Sequence, residues 1–178
     1  MNDVRTENGA CAAYLSVAID DHNLSVFYPL LQNGFFLQTP YIGQSIRCFL
    51  THQLGLSEEY LAHRISTVFL DGMPVDDMDT ALLTDRCRLA LSSAMPGLVG
   101  ATMRKNSPLA LLRDGISYRA PRPAGSGNGI ICLKLFNTVM QDIGPRILRS
   151  GLLLRPETLR LFLQNQSESL RHCKQIQL

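Results

Sequence analysis

Ile65–Gly100 reads ISTVFLDGMPVDDMDTALLTDRCRLALSSAMPGLVG, and its punctuation decides the fold. Ile65–Leu70 is rich in β-branched residues and predicts a strand. Asp71-Gly72 is a two-residue hairpin signal, because both turn positions need positive φ. Met73-Pro74-Val75 begins the return strand, and Asp76–Thr80 is a polar connector. Arg88–Ser92 alternates in polarity and predicts another strand. Ala94–Gly100 leaves that strand through Pro96-Gly97.

Upstream, Tyr14–Ile19 predicts a short strand after a polar segment at residues 1–12. Leu24–Leu31 and Phe35–Gln38 flank Gln32-Asn33-Gly34, which predicts a hairpin, with Pro29 limiting the first strand to an edge. Thr39-Pro40 reads as a helix start, and Ile42, Ile46, Phe49, Leu50 and Leu54 form one apolar stripe closed by Gly55. Ser57-Glu58-Glu59 opens a second short helix, with acids where the helix dipole favours them. One helix against a mixed sheet of four or five strands satisfies this order, which is a β-grasp arrangement.

Downstream, Leu109–Leu112 and Ile116–Tyr118 flank Asp114-Gly115 and read as one more hairpin. Residues 119–129, RAPRPAGSGNG, read as a linker. Ile130–Phe136 reads as a strand or the start of a buried helix, followed by helical patterns from Asn137 and from Arg155-Pro156-Glu157. The expected fold class is α+β, with a core at 13–118, a linker at 119–129 and a mostly helical extension at 130–178.

Of the 178 residues 46% are hydrophobic, which is enough for one compact domain with appended elements or for two very small ones. The formal net charge of +2 hides an asymmetry. Residues 1–100 hold 5 Lys/Arg against 11 Asp/Glu, whereas residues 101–178 hold 12 against 4. Opposite halves can attract within the chain, between protomers, or toward an acidic partner. The five cysteines show no CxxC and no zinc spacing, which suits reduced thiols. Met1–Ala10 has no apolar core of a secretory signal, and no apolar run nears the roughly 20 residues of a membrane span. The expected localisation is cytoplasmic.

Val68–Gly100 resembles the ubiquitin-like sulfur-carrier proteins of molybdopterin and thiamine biosynthesis. The likeness rests on Phe69–Val75 as strand, turn and strand, on Asp79–Leu82 leading to Leu89–Leu91, and on Ala94–Gly97 as the approach to a glycine tail. Leu24–Gly55 occupies the matching upstream places, so the likeness spans about residues 24–100. It implies a β-grasp fold, and for that family a terminal Gly-Gly carboxylate that an adenylating enzyme activates before thiolation. Here Gly97-Leu98-Val99-Gly100 replaces Gly-Gly, 78 residues come after it, and Gln175–Leu178 has no glycine. Asp85-Arg86-Cys87 stands where the family has Gly-Asp.

No catalytic, cofactor or metal residue is expected. His52 and His63 lack a second ligand at i+3 or i+4. Asp76, Asp77 and Asp79 lack the Gly and distal Glu of a calcium loop. Gly125–Gly129 precedes a strand candidate, whereas phosphate loops follow a strand and open a helix. Cys87 lies between Arg86 and Arg88, which on a strand point to the other face. Met95, Pro96, Gly97, Leu98 and Val99 form an apolar segment suited to a partner's groove, with Arg104 and Lys105 beside it. The expected function is a non-catalytic ubiquitin-like adaptor that docks a protein or forms a homo-oligomer. The alternatives are a sulfur-carrier-like protein, and an RNA-binding β-grasp domain using the basic residues of 104–122.

Overall fold

Two residues that turn with positive φ, Asp71 at 50° and Gly72 at 84°, hold the hairpin at the centre of the quoted stretch. The computed structural model describes residues 16–18, 20–119, 125–168, 170 and 175–177. Strand β1 is Ser16–Ala18 and pairs antiparallel with β7, Gln175–Gln177. Tyr14, Leu15 and Ile19 of the expected first strand lie outside the described residues, as do residues 1–12, 120–124, Cys11 and Cys173.

The main sheet has five strands in the order β2-β6-β5-β3-β4. These are β2 Phe35–Ile42, β3 Thr67–Leu70, β4 Met73–Pro74, β5 Arg88–Ser92 and β6 Gly127–Leu135. Neighbours are antiparallel except β5 and β6, which run parallel. The chain is therefore α+β with a mixed sheet.

Four expectations change here. The segment after 129 is not all appended helix: Ile130–Leu135 is strand, and it lies between β2 and β5. The boundary at 119–129 thus does not separate the sheet from the C-terminal part of the chain. The expected hairpin at Asn33-Gly34 is a helix end. Asp21–Phe27 is a 3-10 helix that runs into α1, Tyr28–Asn33, and Gly34 at φ 108° stops it with its N–H on the Leu30 carbonyl. Phe27, Leu30 and Leu31 recur at helical spacing, and Pro29 sits in the first turn, where its missing N–H costs nothing.

Thr39-Pro40 continues β2 instead of opening a helix, and the register shifts between Thr39 and Ile42. Pro is tolerated at such a bulge near an edge. The helix starts after Ser45, whose side chain accepts from Cys48 N. It is α2, Ile46–Cys48, continued by a π-helical turn at Phe49–Gln53. Gly55 follows at φ 61°, and α3, Glu58–His63, is capped by Ser57. Leu109–Leu112 and Ile116 are not a hairpin; Ala110–Ile116 is a 3-10 helix.

Alternation orders the core. Ile131, Leu133 and Leu135 of β6 are fully buried with Leu89 and Leu91 of β5, and with Val68 and Leu70 of β3. Ile46, Phe49 and Leu50 cover that face beside Val139, Ile143 and Ile147 of α5, Asn137–Ser150. A satellite cluster joins Phe27 and Leu30 to Phe162 of α6, Pro156–Asn165, with the Phe27 and Phe162 rings 5.4 Å apart.

Leu133→Ala removes a side chain with no room to relax and is expected to cost about 2–5 kcal/mol in urea unfolding. A chain ending at Arg119 lacks β6 and is expected to lose its cooperative transition. Two-state unfolding of that fragment would show that the sheet closes without β6.

Candidate functional site

The crossover from β5 to β6 carries the surface that stands out. The chain leaves β5 at Ser92 and enters α4, Gly97–Met103, with Pro96 as its N-cap. The expected loop at Met95–Val99 therefore runs into the first turn of a helix. A Cβ at Gly100 would run into the Met95 carbonyl oxygen, so only glycine fits where α4 folds back on its own entry. The main chain continues through Gly97–Gly100, which leaves no carboxylate there.

Leu98 and Val99 lie on the exposed side of α4, at 68% and 66% of full accessibility. Leu111, Leu112 and Ile116 stand exposed on the following 3-10 helix. These five are the majority of the nine exposed large hydrophobic residues among those described. Met95 is half-buried, and Arg104 is exposed at the end of α4. The sequence pattern hides Leu111, Leu112 and Ile116 because their run looks like a strand pair. Only three-residue turns put them outward.

Lys105 does not belong to this surface. Its Nζ donates to the Leu61 carbonyl at 3.0 Å, its amide donates to Ser66 O at 2.8 Å, and burial pulls its pKa down. Within the basic region of 104–122, Arg113 is likewise spent within the fold, whereas Arg104 and Arg119 are exposed. Arg113 has a side chain only 1% exposed. Nε donates to Thr102 O at 2.6 Å. Nη1 donates to Asp76 Oδ2 at 3.0 Å and to Ser117 Oγ at 2.7 Å. Nη2 donates to Asp76 Oδ1 at 2.6 Å and to Arg104 O at 3.2 Å. All five guanidinium hydrogens are thus used, as a buried Arg requires. Arg122 lies outside the described residues.

The acidic turn is built rather than merely solvated. Asp76 clamps Arg113, and Asp79 accepts from Arg47 Nε at 2.7 Å. Asp77 accepts from Asp79 N and the Thr80 hydroxyl, and the Asp79 amide holds its carboxyl below the usual range. Among the described residues no group of three or more His, Cys, Asp or Glu is placed to hold a metal ion.

Shallow clefts lie among the described residues. One, of about 400 Å³, is lined by Ser57, Glu59, Tyr60, His63, Arg64 and Asp142. Arg64 makes a forked pair with Asp142, and Tyr60 Oη donates to Asp142 Oδ2 at 3.0 Å. Burial, then that carboxylate, pushes the Tyr60 hydroxyl far up. A proton held this firmly does not serve acid–base chemistry near neutrality; the triad fastens α3 to α5. Another cleft, of about 370 Å³, includes His52, Leu54 and Arg146. There His52 Nδ1 lies 3.1 Å from the Cys48 carbonyl oxygen, and Arg146 Nη2 donates to Leu54 O.

Comparison with protein-family models, curated protein sequences and solved structures returned no match. No helix among the described residues is long and apolar enough to cross a membrane.

Arg113→Met keeps the apolar stem but strands Asp76 and two carbonyls. The Asp76 side chain, 39% exposed, can rehydrate. The expected loss is therefore roughly 2–4 kcal/mol, read from the urea midpoint. Cys87 gives a pH prediction. Burial pushes its thiol from 9.0 up to about 11. The folded state thus keeps a proton that the unfolded chain releases, so this contribution is complete below pH 9 and lost as pH rises toward 11. Relative to Cys87→Ala, the wild type is expected to lose stability across that window; parallel midpoint curves would contradict it.

Proposed function

We propose that the chain is a non-catalytic, cytosolic, β-grasp interaction module that docks a protein partner on the α4 and 3-10 surface. The observation that carries this reading is the gathering of Leu98, Val99, Leu111, Leu112 and Ile116 on one crossover. Exposed apolar side chains grouped this way mark contact surfaces, because each leaves water only when something covers it. Scattered single ones would mean nothing.

The sheet supports the finer fold reading. A β-grasp sheet sets a parallel pair at its centre and packs a helix between its second and third strands. Here the parallel pair is β5 and β6, and α2 lies between β2 and β3. The strand that opens the ubiquitin-like chain would be supplied here from the far side of the crossover, as in a permuted order. The crossover is then the addition peculiar to this chain, and a docking surface on it is argued from its own residues and not from the shared fold. The internal position of Gly97–Gly100, which lie in α4, gives the sulfur-carrier alternative no acyl group to activate.

A photo-crosslinking residue at Leu112 tests the docking. It is expected to yield a defined protein adduct in lysate of the native host, or a homodimer with purified protein. Leu98→Glu with Leu111→Glu is expected to lower adduct yield at least tenfold, about 1.4 kcal/mol, without moving the urea midpoint. Absence of any adduct, or equal yield from the double variant, would sink the reading.

A further inference from the structure

The second face of the sheet carries a different chemistry. Phe36, Cys132 and Arg88 form one cross-strand row, and Lys134, Ala90 and Phe69 form the next. All are half-buried or exposed, whereas their strand neighbours Phe35, Leu133, Leu89 and Leu70 fill the core on the opposite side. A Cβ built on Gly34 would meet Cys132 Sγ at 2.8 Å and Lys134 Cε at 3.2 Å, which places those two side chains together. The Arg155 guanidinium lies over the Phe36 ring, 5.3 Å from its centroid. Burial pushes the Cys132 thiol up while the charges of Lys134, Arg155 and Arg88 pull against it, so all three cations converge there.

The strands supply nothing of opposite sign to balance them. All five lack Asp and Glu. Among the described residues no carboxylate forms an ion pair with the side chain of Arg88, Lys134 or Arg155, the Asp71 carboxylate accepting from the Arg88 amide at 2.8 Å, although Arg47, Arg64, Arg113 and Arg149 are all paired elsewhere. Unpaired cations interleaved with half-exposed rings on a flat surface suit a polyanion whose units are themselves flat. Base faces stack on aromatic rings and guanidinium planes, and phosphates take the charges. Phe36 and Phe69 are three inter-strand steps apart, roughly 14 Å, so they would serve different bases. A duplex hides its base faces and could use only the charges.

We propose that this sheet face binds single-stranded RNA. Phosphates lie across Arg88, Lys134 and Arg155, and bases stack on the Phe36–Arg155 pair and on Phe69. The exposed amide of Gln38, at the β2 end of the face, is placed to meet a 2′-hydroxyl. This site is separate from the apolar crossover and does not rest on the docking reading.

Fluorescence anisotropy with a labelled mixed-sequence RNA of about 16 nucleotides tests it, titrated from about 50 to 200 mM salt. Affinity is expected to fall with salt. Arg88→Glu with Lys134→Glu is expected to weaken binding at least tenfold and to flatten the salt slope by about 0.7 per lost phosphate contact. Phe69→Leu, which keeps the fold, is expected to weaken binding several-fold with the slope unchanged. Arg160→Glu, at an exposed position of α6, is expected to change neither. DNA of the same sequence is expected to bind more weakly. The proposal is overturned by absence of binding at the lowest salt, by unchanged affinity in the double variant, by an equal loss from Arg160→Glu, or by DNA binding as tightly as RNA.

Discussion

The parallel contact between β5 and β6 is the constraint on which the other features depend. Parallel neighbours cannot be joined by a tight turn, since the chain must travel back the length of the strand before pairing. The segment between Ser92 and Gly127 is that return path. β6 is also paired on its other edge by β2, so the late strand closes the sheet in its middle. Its inward residues Ile131, Leu133 and Leu135 meet Leu89 and Leu91 across one ladder, and α5 caps the result.

The return path has little core of its own, and a buried cation holds it instead. Arg113 ties Thr102, Arg104 and Ser117 to Asp76 in the turn after β4. Lys105 adds a bond to the C-terminal turn of α3 through the Leu61 carbonyl. Because polar bonds fix this segment, its apolar side chains are not needed inside and remain at the surface. Anchoring and exposure have one cause here.

The two faces of the sheet divide the chemistry. Alternation sends every second side chain inward, where only apolar groups are tolerated without partners. The outward set is free of that demand and gathers Arg88, Lys134, Phe36 and Phe69, which are far apart in the sequence. A basic C-terminal half was visible in composition. Its members separate into buried clamps, such as Arg113, and unpaired outward cations, such as Lys134, only when strands are set beside one another.

The sequence by itself determined the local elements whose signals act within a few residues. The Asp71-Gly72 turn, the strand at Arg88–Ser92, the Ser57 cap and the helix closed by Gly55 are as their residues demand. So is the α+β class. Asn33-Gly34 and the Leu109–Tyr118 run were misleading because Gly at positive φ serves a helix end as well as a hairpin, and short apolar runs fit either period. Tertiary structure alone decided that β6 lies inside the sheet, that Asp76 meets Arg113 across 37 residues, and that Lys105 turns inward. Those outcomes depend on pairing between distant segments. Such pairing is selected by burial of the whole core, and no local pattern encodes it.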